Sequence, residues 1–205
     1  MERMDRARRL AGIGWVLAGV PAMVVWTMAD PRHPPGMVTW TVVAVVALGT
    51  STARTPQPWR WYGGRAAGVV IGVLLVGAVA DRFGLLGGPG DPGVSWGDWQ
   101  HFEAETAELV PWSVLVPYAA VAATIAELVL GSLLVLGWKW RWTGKLTAGL
   151  FVVYAMAMVP GMGAGSVLEF GLPVLVGGAL VTSARGSRPT QTGQRVSTPA
   201  RAVAT

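Results

Sequence analysis

A chain of 205 residues that is 52% hydrophobic, 13% charged and +5 in formal net charge is more apolar than an ordinary soluble domain. It contains no cysteine, which excludes disulfide frameworks, thiol relays, iron–sulfur clusters and zinc–thiolate sites, so any redox chemistry needs a bound cofactor or a partner. The sequence pI near 10.4 does not indicate nucleic acid, because the basic residues cluster at the ends of apolar segments, where they meet anionic lipid headgroups.

Six apolar segments follow one another, at 10–29, 37–52, 66–86, 110–138, 143–159 and 167–184. Crossing the hydrocarbon takes about 20 mostly apolar residues, or about 17 at the short end, and most of the six qualify. Ahead of the first stand Arg3, Arg6, Arg8 and Arg9. The apolar run they precede is about 20 residues long, beyond the roughly 7 to 15 of a cleaved signal sequence, so a retained helix is expected. After the second segment come Arg54, Arg60 and Arg65, after the fourth Lys139, Arg141 and Lys145, and after the sixth Arg185, Arg188, Arg195 and Arg201. Fourteen of the sixteen basic residues thus fall on one side, with Arg32 and Arg82 toward the other. The positive-inside bias predicts an all-α, polytopic bundle of six transmembrane helices in a bacterial inner (cell) membrane, with both termini cytoplasmic.

Gly64, Gly68 and Gly72 recur at four-residue spacing on the third segment, a face on which another helix backbone can approach closely. Asp81 and Arg82 close that segment toward the outer side. The outer connection at 87–111 begins as a Gly- and Pro-rich linker, then reads as a short helix with Asp98 as its N-cap. Trp99, Phe102, Thr106 and Leu109 share one face of that helix, with Glu103, Glu105 and Glu108 largely off it, as expected of a lid at about 97–110 along the outer interface. His101, Asp98 and Glu105 share a helical edge, a pattern that recurs by chance and is not read as a metal site; His101 can instead serve as a titratable donor to a polar ligand head beneath the lid. His33 lies in a proline-rich outer loop and carries no signal.

Glu127 lies near the middle of the fourth segment, where an unpaired carboxylate would cost several kcal/mol. Two readings follow: a neutral or paired acid that fixes helix register, or a ligand or proton site. Arg82 is expected to pair with Glu169 near the outer start of the sixth segment, with Glu127 about two turns deeper and reached only by snorkelling or water. Tyr118 and Tyr154, on adjacent segments, are candidates to line one cavity with Glu127. Trp138, Lys139, Trp140, Arg141 and Trp142 form an anchored turn with rings at the interface. The tail at 185–205 is too polar to fold and is expected to be a disordered cytoplasmic extension.

The run from Ala126 and Glu127 through Gly131 and Ser132 to Gly137, followed by a basic turn, resembles the second helix of DoxX-like membrane proteins, and Trp99-Gln100-His101-Phe102 resembles the loop after that family's first helix. The resemblance covers about residues 64–184, making 1–63 an amino-terminal two-helix extension of a four-helix domain. The extra helices and the Asp81-Arg82 pair depart from the usual pattern. It implies Glu127 as the family glutamate and a subunit that binds a hydrophobic small molecule, a quinone as cofactor, in partnership with membrane redox-complex subunits; the residues themselves offer Asp81, Arg82, His101, Tyr118, Tyr154 and Glu169 as ligand-binding candidates around it. Two other classes stay open: a non-catalytic assembly factor or small-solute carrier, and an enzyme using Glu127 as an acid or base on a lipid or isoprenoid.

Overall fold

The computed structural model describes residues 2–31, 34–56 and 59–184; the expectations for Arg32, His33 and the tail at 185–205 lie outside the described residues. The described residues form eight α-helices and no strand: α1 Glu2–Ala29, α2 Met37–Ser51, α3 Trp59–Arg82, α4 Trp99–Leu109, α5 Val116–Leu136, α6 Trp140–Gly161, α7 Ala164–Glu169 and α8 Leu172–Ser183. Five of these stretches, led by α1, α2, α3, α5 and α6, are long and apolar enough to cross a membrane. The protein is therefore a multi-pass helical bundle. In lipid every backbone polar group must be satisfied within the segment, which is why these runs fold as helices.

The sixth apolar segment is not one helix. It breaks at Phe170 and Gly171 into α7 and the twelve-residue α8, and Gly171 takes a left-handed conformation (φ 66°) that a side chain disfavours. Pro173 then opens α8, where its missing N–H goes unneeded. The apolar run hid this break because Gly171 and Pro173 are surrounded by residues that suit a continuous span.

α8 is the hub of the bundle. Ten of its twelve residues are buried, against α1 on one side, α6 on another, and α2 and α3 behind. A helix that is apolar all round has to be enclosed, and here small residues let its neighbours close in. A Cβ at Gly177 would stand 2.5 Å from the Gly12 carbonyl oxygen, and one at Gly144 would stand 2.7 Å from that of Ala179.

The glycine stripe of α3 packs inside the bundle: Gly72 meets Gly131 of α5 backbone to backbone, and the Gly64 carbonyl accepts from the Thr182 hydroxyl of α8 at 3.2 Å. At the same end Arg65 donates to the carbonyls of Leu134 and Val135, the orphan acceptors of the α5 C-terminus, beside Gly137 in its left-handed cap. Arg141 bonds Asp5 there, gathering the basic clusters of α1, α3 and α6 at one end of the bundle. The opposite end carries Asp81, Arg82, α4 and α7. Trp59, Trp112, Trp138 and Trp142 are exposed at the helix ends, as interfacial anchors are.

Candidate functional site

Arg82 and Glu127 form the centre of the charged end of the bundle. Arg82 is the last residue of α3 and Glu127 is the twelfth residue of α5, and both are almost wholly buried. Taking the Gly72 to Gly131 contact as the antiparallel register, Glu127 stands opposite residue 76, about 9 Å below Arg82. The expected two-turn offset is present, yet the contact is direct: Arg82 Nη2 donates to Glu127 Oε2 at 2.6 Å and Nη1 to the Thr124 hydroxyl at 2.9 Å. The guanidinium reaches inward rather than out to water. Its outward route is covered by two rings of the outer connection, Phe102 at 3.7 Å and Trp96 at 5.0 Å from ring centre to the guanidinium carbon, so the cation gains both acceptors below and π faces around it.

The expected partnership of Arg82 with Glu169 is corrected accordingly. No ion pair joins them among the described residues; Glu169 stays half-buried at the end of α7, within electrostatic range of Glu105. The other oxygen of Glu127, Oε1, accepts from the Tyr154 hydroxyl of α6. Arg82, Thr124, Glu127 and Tyr154 thus tie three helices together through one carboxylate.

Asp81 has a different task. Its Oδ2 accepts the backbone N–H groups of Ser95 and Trp96, each at 3.0 Å, pinning the outer connection to the end of α3. Gly97, with φ 73° and packed against Pro89 and Gly88, permits the loop to fold back far enough to be pinned. The indole N–H of Trp96 then donates to Glu105 Oε2 at 2.6 Å, and Trp99 stacks on Phe83. Glu105, expected largely off the packed face of α4, is therefore part of the lid. Burial pushes its carboxyl above the ordinary value, with Glu108 and Glu169 adding to the rise and Trp96 and Arg82 opposing it.

Asp98 caps α4 as expected, accepting the His101 N–H at 2.8 Å, and that backbone bond, then the His101 ring, hold its carboxyl below the ordinary value. His101 Nδ1 lies 2.8 Å from the same oxygen, and its side chain is 60% exposed. His101 consequently faces away from the space beneath the lid. Among the described residues no three His, Asp or Glu side chains are grouped to hold a metal. Tyr118, 70% exposed on α5, is likewise remote from Glu127.

Thr124, Trp96 and Phe102 are the site residues that sequence reasoning did not assign. Thr124 had a signal, since it precedes Glu127 by three residues and shares its face. Trp96 had none, because its place over Arg82 depends on how the loop returns. Two buried polar atoms at the site lack partners, Asp81 Oδ1 and Arg82 Nε. Between α5 and α6 a lipid-open groove of about 430 Å³, with an apolar lining that includes Ala126, Leu130, Leu146 and Leu150, runs one turn from Glu127 and Tyr154. Compared with protein-family models, with curated proteins and with solved structures, the chain matches none.

Proposed function

We propose that this chain is a DoxX-like membrane subunit, crossing the bilayer six times with both termini cytoplasmic, that binds a quinone and supports a membrane redox complex. In this reading α7 and α8 together make the sixth crossing. The observation that carries it is the half-buried Tyr154 hydroxyl on Glu127, backed by buried Arg82, with an open apolar groove between α5 and α6 beside them whose lining includes Ala126 and Leu150. A quinone supplies two-electron, two-proton chemistry when bound. The donor chemistry suits its carbonyl oxygens: Arg82 Nε is a buried donor without an acceptor, and the Tyr154 hydroxyl can turn from Glu127 to a ligand. The lining of the α5/α6 groove suits an isoprenoid tail. The lid rings exclude water from Arg82, which strengthens each of these bonds.

A second reading, a non-catalytic assembly factor, is favoured by the saturation of Glu127, whose two oxygens are both engaged as in a purely structural clamp. Copurification from native membranes separates the two. Tyr154→Phe keeps the Arg82 to Glu127 pair and is the mild variant. Glu127→Gln leaves a buried cation poorly paired, a loss of the order of 3 to 5 kcal/mol. Mass spectrometry of bound small molecules should find a quinone with the wild-type chain and about tenfold less with Tyr154→Phe at equal folded yield. Protein partners retained by both, with no quinone on either, would establish the clamp instead.

A further inference from the structure

The bundle has a second lipid-facing groove, remote from Glu127, between α1 and α2. These helices follow each other in sequence yet touch little, because α1 packs chiefly on α8 and α2 on α3. The space left between them, about 370 Å³, is lined by Ile13, Val16, Val20 and Ala47 along most of its length. It runs from Ile13 to Pro21 of α1, a rise of about 12 Å. At the end where the basic clusters gather, the lining changes character to Thr50, Ser51 and Arg54.

Two observations there point to an occupant. Thr50 is 2% exposed, and its hydroxyl has no hydrogen-bond partner, although most buried hydroxyls in helices bond a carbonyl one turn back, as Thr106 and Thr124 do in this protein. Arg54, one turn beyond Thr50, is exposed and makes no ion pair among the described residues. On the α1 side, Arg9 precedes Ile13 by one turn on the same face, and its Nε also lacks a partner. The groove therefore presents, in order, an apolar trough, a buried unmatched donor and a cationic mouth.

That order is the order of a glycerophospholipid: acyl chain, ester carbonyls, phosphate. We propose that the α1/α2 groove is a specific site for one anionic phospholipid, with its phosphate at Arg54, an ester carbonyl at the Thr50 hydroxyl and an acyl chain along Ile13 and Val20. The roughly 6 Å rise from Thr50 to Arg54 separates the two polar contacts as the lipid's ester and phosphate are separated. A zwitterionic lipid would bring a phosphate with its charge offset.

The test is native mass spectrometry of the full chain, delipidated in detergent and titrated with phosphatidylglycerol or phosphatidylcholine. One phosphatidylglycerol should be retained in preference to phosphatidylcholine. Arg54→Gln should weaken it about fivefold, as about 1 kcal/mol per cation at the headgroup implies, with Arg54→Lys holding most of the affinity. Ala47→Trp, which fills the trough without touching a charge, should abolish retention while the thermal transition persists. Tyr154→Phe should leave it unchanged, which keeps this site separate from the quinone reading. Equal retention of the two lipids, phosphatidylglycerol binding indifferent to both Arg54→Gln and Ala47→Trp, or a second copy of the chain in the lipid's place would overturn the proposal.

Discussion

Arg82 shows how one residue can join the outer lid to the membrane interior. Its charge is met below by Thr124 and Glu127 and above by the rings of Trp96 and Phe102, so lid position and core electrostatics are parts of one arrangement. Glu105 holds the lid from the water side through Trp96, and its pH dependence can be signed. Its raised pKa gives a stabilising contribution that is complete below the ordinary 4.5 and lost as pH rises through the raised value. Asp98, with a lowered pKa, contributes fully above its ordinary 3.8 and loses that contribution as pH falls through the lowered value. Protection of the amides at residues 95–109, read as exchange corrected for its intrinsic base-catalysed rate, should therefore be highest between pH 3.8 and 4.5 and decline as pH rises above that window. Glu105→Gln keeps an acceptor for Trp96 and should remove the decline on the alkaline side. If the variant loses protection in the same way, another group controls the lid.

Among the helices, the decisive feature is how closely α8 is approached. Gly177 and Gly12 face each other at a distance that admits no Cβ, while Gly14, two residues further along α1, has open space about it. Gly177→Ala should thus lower stability by about 1 to 3 kcal/mol through overpacking. Gly14→Ala should be neutral or raise it by a few tenths, since alanine is the better helix former. Thermal denaturation of the two variants in detergent checks this, and equal midpoints would remove the close crossing from the account. The α3 stripe was legible because three glycines four apart have few other uses in an apolar helix. The special role of Gly177 was not, since Gly177-Gly178 within Val, Leu and Ala looks like any small pair in a span. The N-cap at Asp98 and the packed face of α4 were also readable, being set by local chemistry. The inward turn of Arg82 depended on a ring contributed from fourteen residues away, and no local pattern encodes that.

At the scale of the whole chain, the apolar spans were the most legible property: α1, α2, α3, α5 and α6 are long and apolar enough to cross a membrane. The sixth crossing rests on α7 and α8 acting as one broken span. Because the chain has no cysteine, single cysteines report sidedness without background. Ala104→Cys on the exposed face of α4 should react with a membrane-impermeant maleimide in intact cells, whereas Thr55→Cys should react only after permeabilisation. Labelling of both from the same side would refute the topology. Glu127, whose position in lipid demands a partner, and Tyr154 were legible as neighbours; Tyr118, read as lining the same cavity, and His101, read as a donor beneath the lid, face outward in the fold, because which side of a helix turns inward depends on its neighbours.

The most enclosed helix of the bundle is also the last of the described helices to leave the ribosome. α1, α2, α3 and α6 all pack against α8, so until Ser183 has entered the membrane these four lack their common centre. The α2 and α3 pair and the α3 and α5 pair can settle beforehand, the second of them on Gly72 and Gly131. Assembly of the described helices consequently waits on a keystone, and until α8 is in place α1 and α6 lack their chief partner and stand as a loosely gathered set, open to proteolytic surveillance.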